Sequence, residues 1–80
     1  MNTNEIANQI LSFVKENLVE DISIAITDHF NEIGIDSQSI IQIVLFIERN
    51  YNIQWEEKDL NKENLKSILS LAEFVATKNA

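Results

Sequence analysis

Apolar residues recur at helical spacing along most of this 80-residue chain, and the pattern predicts helices over about residues 4–18, 37–50, 56–62 and 67–78. The first carries Ile6, Ile10, Phe13 and Val14 on one face with Leu18 close behind, and Thr3 or Asn4 can cap it. The last starts from a Ser67 cap and repeats Ile68, Leu71, Ala72 and Val75 at i, i+3, i+4 and i+7. Between the first two, Asp21-Ile22-Ser23-Ile24-Ala25-Ile26-Thr27 alternates apolar and polar like a strand. No second strand pattern exists to pair with it, so a long, extended loop laid over the core is expected. Gly34, the one glycine in a chain without proline, stands where the backbone must turn before a long apolar run. Trp55 and Leu60 lie in a polar stretch, residues 54–64, that predicts a brief third helix contributing little to the core. The class is therefore all-α: three substantial helices and a short one, in a single domain over residues 1–80.

The second helix has two apolar faces. At about 100° per residue, Ile40, Ile43, Val44, Ile47 and Tyr51 share roughly 100° of arc, which suits a core face. Ile41 and Leu45 lie four and eight residues after Ser37, so they form a stripe that starts at the serine and leaves the core. Such a stripe on an acidic domain marks a docking surface. The competing reading is a helix buried on more than one side, since Phe46 also lies off the main face.

Charge narrows the partners. Thirteen acidic and six basic side chains give a net charge of −7, which excludes a phosphate-backbone binder built on Lys and Arg. Residues 1–36 hold seven acids and one base, residues 37–80 six acids and five bases. Either a basic partner is steered by the first half or the acidity serves solubility. Cysteine is absent, so there is no disulfide framework, thiolate zinc site or thiol nucleophile, and any reactive sulfur must be borrowed. The longest apolar run, residues 43–47, is too short to span a membrane, and the N-terminus lacks the basic and apolar parts of a secretory signal. A cytoplasmic monomer with no membrane or nucleic-acid partner is expected.

Candidate chemistry gathers at Asp36-Ser37. Either residue can cap the second helix. A helix N-terminus also favours anions, so a serine there is equally placed to carry a phosphodiester; helix physics leaves both readings open. A hydrolase is disfavoured, because the single histidine, His29, is eight residues from Ser37 across Gly34 and no Gly-x-Ser-x-Gly elbow exists. His29 reads as a loop residue near the helix junction. A calcium loop from Asp59 fails on Asn64 at its sixth position and Ser70 at its twelfth, and no metal site is expected. Trp55 reads as core packing rather than a ligand-stacking ring.

The stretch Phe30-Asn31-Glu32-Ile33-Gly34-Ile35-Asp36-Ser37 resembles the attachment motif of the acyl carrier protein family, Phe-x-x-Leu-Gly-x-Asp-Ser. Glu48 and Tyr51-Asn52-Ile53 continue the likeness, and Ser67-Ile68-Leu69-Ser70-Leu71-Ala72-Glu73-Phe74-Val75 is similar to the family's fourth helix. The resemblance implies a right-handed four-helix bundle with a long first loop. It implies that Ser37 receives 4′-phosphopantetheine from coenzyme A through a phosphopantetheinyl transferase, with Asp36 supporting that reaction through the metal-bound coenzyme. The arm's thiol would then carry cargo as a thioester, which suits a chain without cysteine. Gln38, Ile41, Gln42 and Leu45 fall where the family meets its partners, here a loading ligase for acyl or aminoacyl groups and a downstream synthase or transferase.

The departures are specific. Gln38 replaces the usual Leu after the serine, and the second helix has Gln42, Glu48, Arg49 and Asn50 where fatty-acid carriers have a run of acids. A narrower, dedicated partner set follows. Glu56 stands where a Pro is usual, and the segment before Ser67 is about a turn longer. The motif start is similar to polyketide carriers, and Leu71-Ala72-Glu73-Phe74-Val75 to aminoacyl or peptidyl carriers. A free-standing chain implies a dissociated system of fatty-acid, polyketide or nonribosomal-peptide type. The alternative, which Gln38 alone supports, is an unmodified helical interaction domain that keeps the carrier fold.

Overall fold

In the computed structural model, which describes residues 2–18 and 23–78, the chain forms three α-helices: α1 (Thr3–Asn17), α2 (Ser37–Tyr51) and α3 (Ile68–Lys78). Two single turns of 3-10 helix, Phe30–Glu32 and Glu57–Asp59, lie in the connections. The cap of α1 is Asn2, one residue before the expected Thr3 or Asn4; its side-chain oxygen accepts the Glu5 N–H at 2.8 Å. The N–H of Leu18 bonds the Val14 carbonyl at 2.9 Å and ends the helix.

Of the predicted extended segment, Asp21 and Ile22 lie outside the described residues. Ile24 is buried, and the Ile26 carbonyl accepts the Leu69 N–H at 2.9 Å, so the segment does lie against the start of α3. It does not stay extended. The Asp28 carboxylate accepts the Ala25 N–H at 2.8 Å and folds a turn. Beyond it, His29 and Ser67 form an isolated antiparallel bridge, and the Phe30 N–H bonds the Lys66 carbonyl at 2.9 Å.

α1 contributes Ile6, Ala7, Ile10 and Val14 to the core, α2 contributes Ile43, Ile47 and Tyr51, and α3 contributes Ile68, Leu71, Ala72 and Val75. Ile24, Phe30, Ile35 and Ile53 fill in from the connections. Each large aliphatic side chain so buried contributes about 1.5–3 kcal/mol. Of the expected α2 core face, Ile40 departs: it is half-buried and opens onto the surface beside Ser37. Phe46 is half-buried because Phe13 of α1 stacks on it at 4.4 Å between ring centres. Trp55 is likewise half-buried at the rim, stacked on Phe74 at 4.5 Å. α2 ends where Asn52 adopts a left-handed φ of 53°, a conformation Asn tolerates well.

The short third helix expected over residues 56–62 is a correction: the chain makes one 3-10 turn there and then irregular turns to Lys66. The bundle therefore has three α-helices among the described residues, not four. Side chains have taken the backbone groups a helix would use. Asp59 accepts the Glu56 N–H at 3.0 Å, Asn61 accepts the Asn64 N–H at 2.9 Å, and the Asn64 amide donates to the Asp59 carbonyl at 2.9 Å. Asp and Asn compete with helical bonding in this way. Ser67 does cap α3, and reciprocally: its Oγ accepts the Ser70 N–H at 3.1 Å while the Ser70 Oγ accepts the Ser67 N–H at 3.0 Å.

Candidate functional site

The approach to α2 is built residue by residue. Phe30 is buried and its carbonyl accepts the N–H groups of both Ile33 and Ile35, at 3.2 and 3.0 Å. Gly34 sits between them at a φ of 78°, which a side-chain-bearing residue adopts only with strain. Ile35 then plugs into the core. Asp36 follows as the N-cap: its carboxylate accepts the Ser39 N–H at 2.9 Å. The choice between the two possible caps is thus settled in favour of Asp36. Ser39, through its N–H first and its side chain second, holds the exposed Asp36 carboxyl below the ordinary aspartate pKa.

Ser37 is left as the first residue of α2, exposed, with no hydrogen bond to its hydroxyl from the described residues. Its Oγ stands at the positive end of a helix dipole. Two depressions meet at this residue. One is apolar, formed by Ile40, Ile41, Val44, Leu45, Leu60 and Leu65. The other runs toward His29, Asn31, Lys62 and Lys66 and shares Ile40, Leu60 and Leu65 with the first.

Along α2 the expected docking residues Gln38, Ile41, Gln42 and Leu45 are all exposed. Ile41 retains 58% and Leu45 44% of its surface, so burial on a second side stops at Phe46 and does not reach the stripe. Gln42 and Leu45 also edge a shallow depression with Phe13, Phe46 and Arg49. The sequence reading missed Leu60 and Leu65, the apolar wall facing the stripe across the groove. Their signal was present, as the isolated leucines of a polar segment. Leu60, 46% exposed, is the third large apolar side chain left on the surface among the described residues.

Taken alone, these features define a small helical domain whose distinctive surface is organised round one free serine hydroxyl. The family described as the phosphopantetheine attachment site matches residues 8–75. The chain belongs to that family, the carrier domains that attach 4′-phosphopantetheine covalently. Such domains are generally non-catalytic and work with phosphopantetheinyl transferases and with synthases or ligases. No curated protein matches the chain.

Proposed function

We propose that Ser37 is the attachment point and that the protein is an acyl or aminoacyl carrier. One observation carries the reading: within the matched region, Ser37 presents an exposed, unpaired hydroxyl immediately after the Asp36 cap of α2. The surroundings fit a tethered phosphodiester, because the helix N-terminus favours an anion and the depressions on either side leave room for the arm. In the transfer, the Ser37 Oγ bonds to the β-phosphorus of coenzyme A. The bond to the bridging oxygen breaks, adenosine 3′,5′-bisphosphate leaves, and the serine proton passes to a base on the transferase. The attached group supplies the thiol that the chain lacks and carries cargo as a thioester.

Asp36 takes part in transferase recognition, its second role after capping. Gln38, Ile41, Gln42 and Leu45 meet partner enzymes: a loading ligase, then a synthase or transferase of a fatty-acid, polyketide or nonribosomal-peptide-type pathway. A cytoplasmic monomer acting with separate enzymes fits this role. Incubation with coenzyme A and a broad-specificity phosphopantetheinyl transferase tests the reading by intact mass. One phosphopantetheine per chain, abolished by Ser37→Ala, is expected. No mass gain, or a gain that survives Ser37→Ala, sinks it and leaves the unmodified interaction domain.

A further inference from the structure

The chain carries a net charge of −7, yet one wall beside Ser37 is cationic. Lys62 and Lys66 line the second depression together with His29 and Asn31, and Asp36 is its one acidic member. Among the described residues, Lys58 pairs with Glu56 at 3.5 Å, and Lys78 pairs with Asp59 at 3.0 Å. Lys62 has no such partner. Lys66 meets Glu63 at 3.3 Å, but that pair is open to solvent, and an exposed pair of this kind is easily exchanged for another anion.

This wall is positioned by the fold. The backbone of Lys66 is held against the His29 loop by the Phe30 N–H bond and the bridge from His29 to Ser67. The turn bearing Lys62 is shaped by Asn61, whose amide donates to the Lys58 carbonyl at 3.0 Å and whose oxygen accepts the Asn64 N–H. Two cations thus line the same depression as the residue that, on the proposed function, bears an anion.

The other depression offers that anion nothing. Its lining of Ile40, Ile41, Val44, Leu45, Leu60 and Leu65 has no charged or hydrogen-bonding side chain apart from Ser37 itself, and a phosphodiester placed there loses water without gaining a partner. The Asp36 carboxylate borders the cationic depression instead, where Lys62 and Lys66 offset its repulsion of the phosphate.

We infer that the depression rimmed by Lys62 and Lys66 is the seat of the arm's phosphodiester, so that the root of the arm lies toward residues 29–31 and 61–66. The Ile41 and Leu45 stripe is then left clear for a partner enzyme while the arm is attached. Asn31, exposed and in the lining of the same depression, can meet the amide groups further along the arm. This inference rests on Ser37 being the attachment point.

The test compares amide chemical shifts of the apo and phosphopantetheine-loaded protein, after intact mass has established loading at Ser37. Apart from the residues flanking Ser37, the largest changes are expected at residues 29–31 and 61–66. In Lys62→Gln/Lys66→Gln they should fall by about half or more, as should the restriction of the phosphorus resonance, and about 0.5 M salt should do the same to the unsubstituted protein. Lys15→Gln, which removes a cation remote from the depression, should leave them unchanged. Both lysines are solvent-facing, so the double variant should melt with the parent; if it does not, Lys62→Gln alone serves. Changes concentrated at Ile41 and Leu45, or indifferent to both lysines and to salt, overturn the inference while leaving the carrier reading intact. Failure to load at Ser37 overturns both.

Discussion

The carboxylate of Asp36 accepts the backbone N–H of Ser39 at 2.9 Å, so the residue before the free serine hydroxyl is also what closes the first turn of α2. On the proposed function, structural and recognition roles are superimposed on one side chain, and a substitution that removes both cannot tell them apart. Asn is as good a cap as Asp but carries no charge. Asp36→Asn is therefore expected to lower the melting temperature less than Asp36→Ala, by loss of the charge alone, and to slow phosphopantetheine transfer, whereas Asp36→Ala should also fray α2. Thermal melts beside timed mass spectrometry of loading check this. Equal melting losses in the two variants would remove the cap from the account.

A second carboxylate makes the pH dependence testable. Asp59 is held below the ordinary aspartate value of 3.8 first by the Glu56 N–H and next by Lys78, whose ammonium lies 3.0 Å away and also over the Phe74 ring. A depressed folded pKa means stability that is fully present above the unfolded value and lost as pH falls through the folded one. Asp59→Asn keeps an acceptor but not the charge. The melting-temperature gap between parent and Asp59→Asn should be constant at neutral pH and close progressively below the ordinary value of 3.8. A gap that persists at the lowest pH would mean that the charge contributes nothing.

Gly34 provides a backbone prediction. Its φ is 78°, and a Cβ built there meets nothing within 4 Å, so replacement is opposed by conformation alone and not by crowding. Gly34→Ala should cost about 1 kcal/mol, with Gly34→Asn costing less because Asn visits this region more readily. Chemical denaturation measures both. A loss of several kcal/mol would require a clash that the geometry does not contain.

How much of this was legible before folding depends on the range of the interaction involved. Helix periodicity separated Ile43, Val44 and Ile47, which are buried, from Ile41 and Leu45, which are not, because a helix of about four turns on a single core has one inside. It offered Thr3 or Asn4 as the cap of α1 and missed Asn2, an equally competent residue just before them. It overcalled the third helix because Asp59, Asn61 and Asn64 win their backbone partners by local hydrogen bonds that leave no periodic trace. The motif located Asp36 and Ser37 together, but the cationic wall beside them stayed invisible. Lys62 and Lys66 come near Ser37 only when the His29 loop is pinned to residues 66–67, a long-range contact with no local signature.

The separation of faces on α2 yields the sharpest contrast. Ile47 is fully buried, whereas Leu45, two residues earlier, keeps 44% of its surface. Ile47→Ala removes packed methyl and methylene groups and leaves a cavity, at a cost of about 2–5 kcal/mol. Leu45→Glu places a charge on the solvent side and should change stability by no more than about 0.5 kcal/mol. If Leu45 meets partner enzymes, that same substitution should weaken cargo transfer or loading several-fold, because it replaces an apolar contact with a charge that must be desolvated on docking. Denaturant titrations of both variants, with single-turnover transfer by a partner enzyme for Leu45→Glu, measure the two effects separately. A Leu45→Glu protein as unstable as Ile47→Ala would place the stripe in the core. A stable one that transfers at the parent rate would show that partners approach Ser37 from another side.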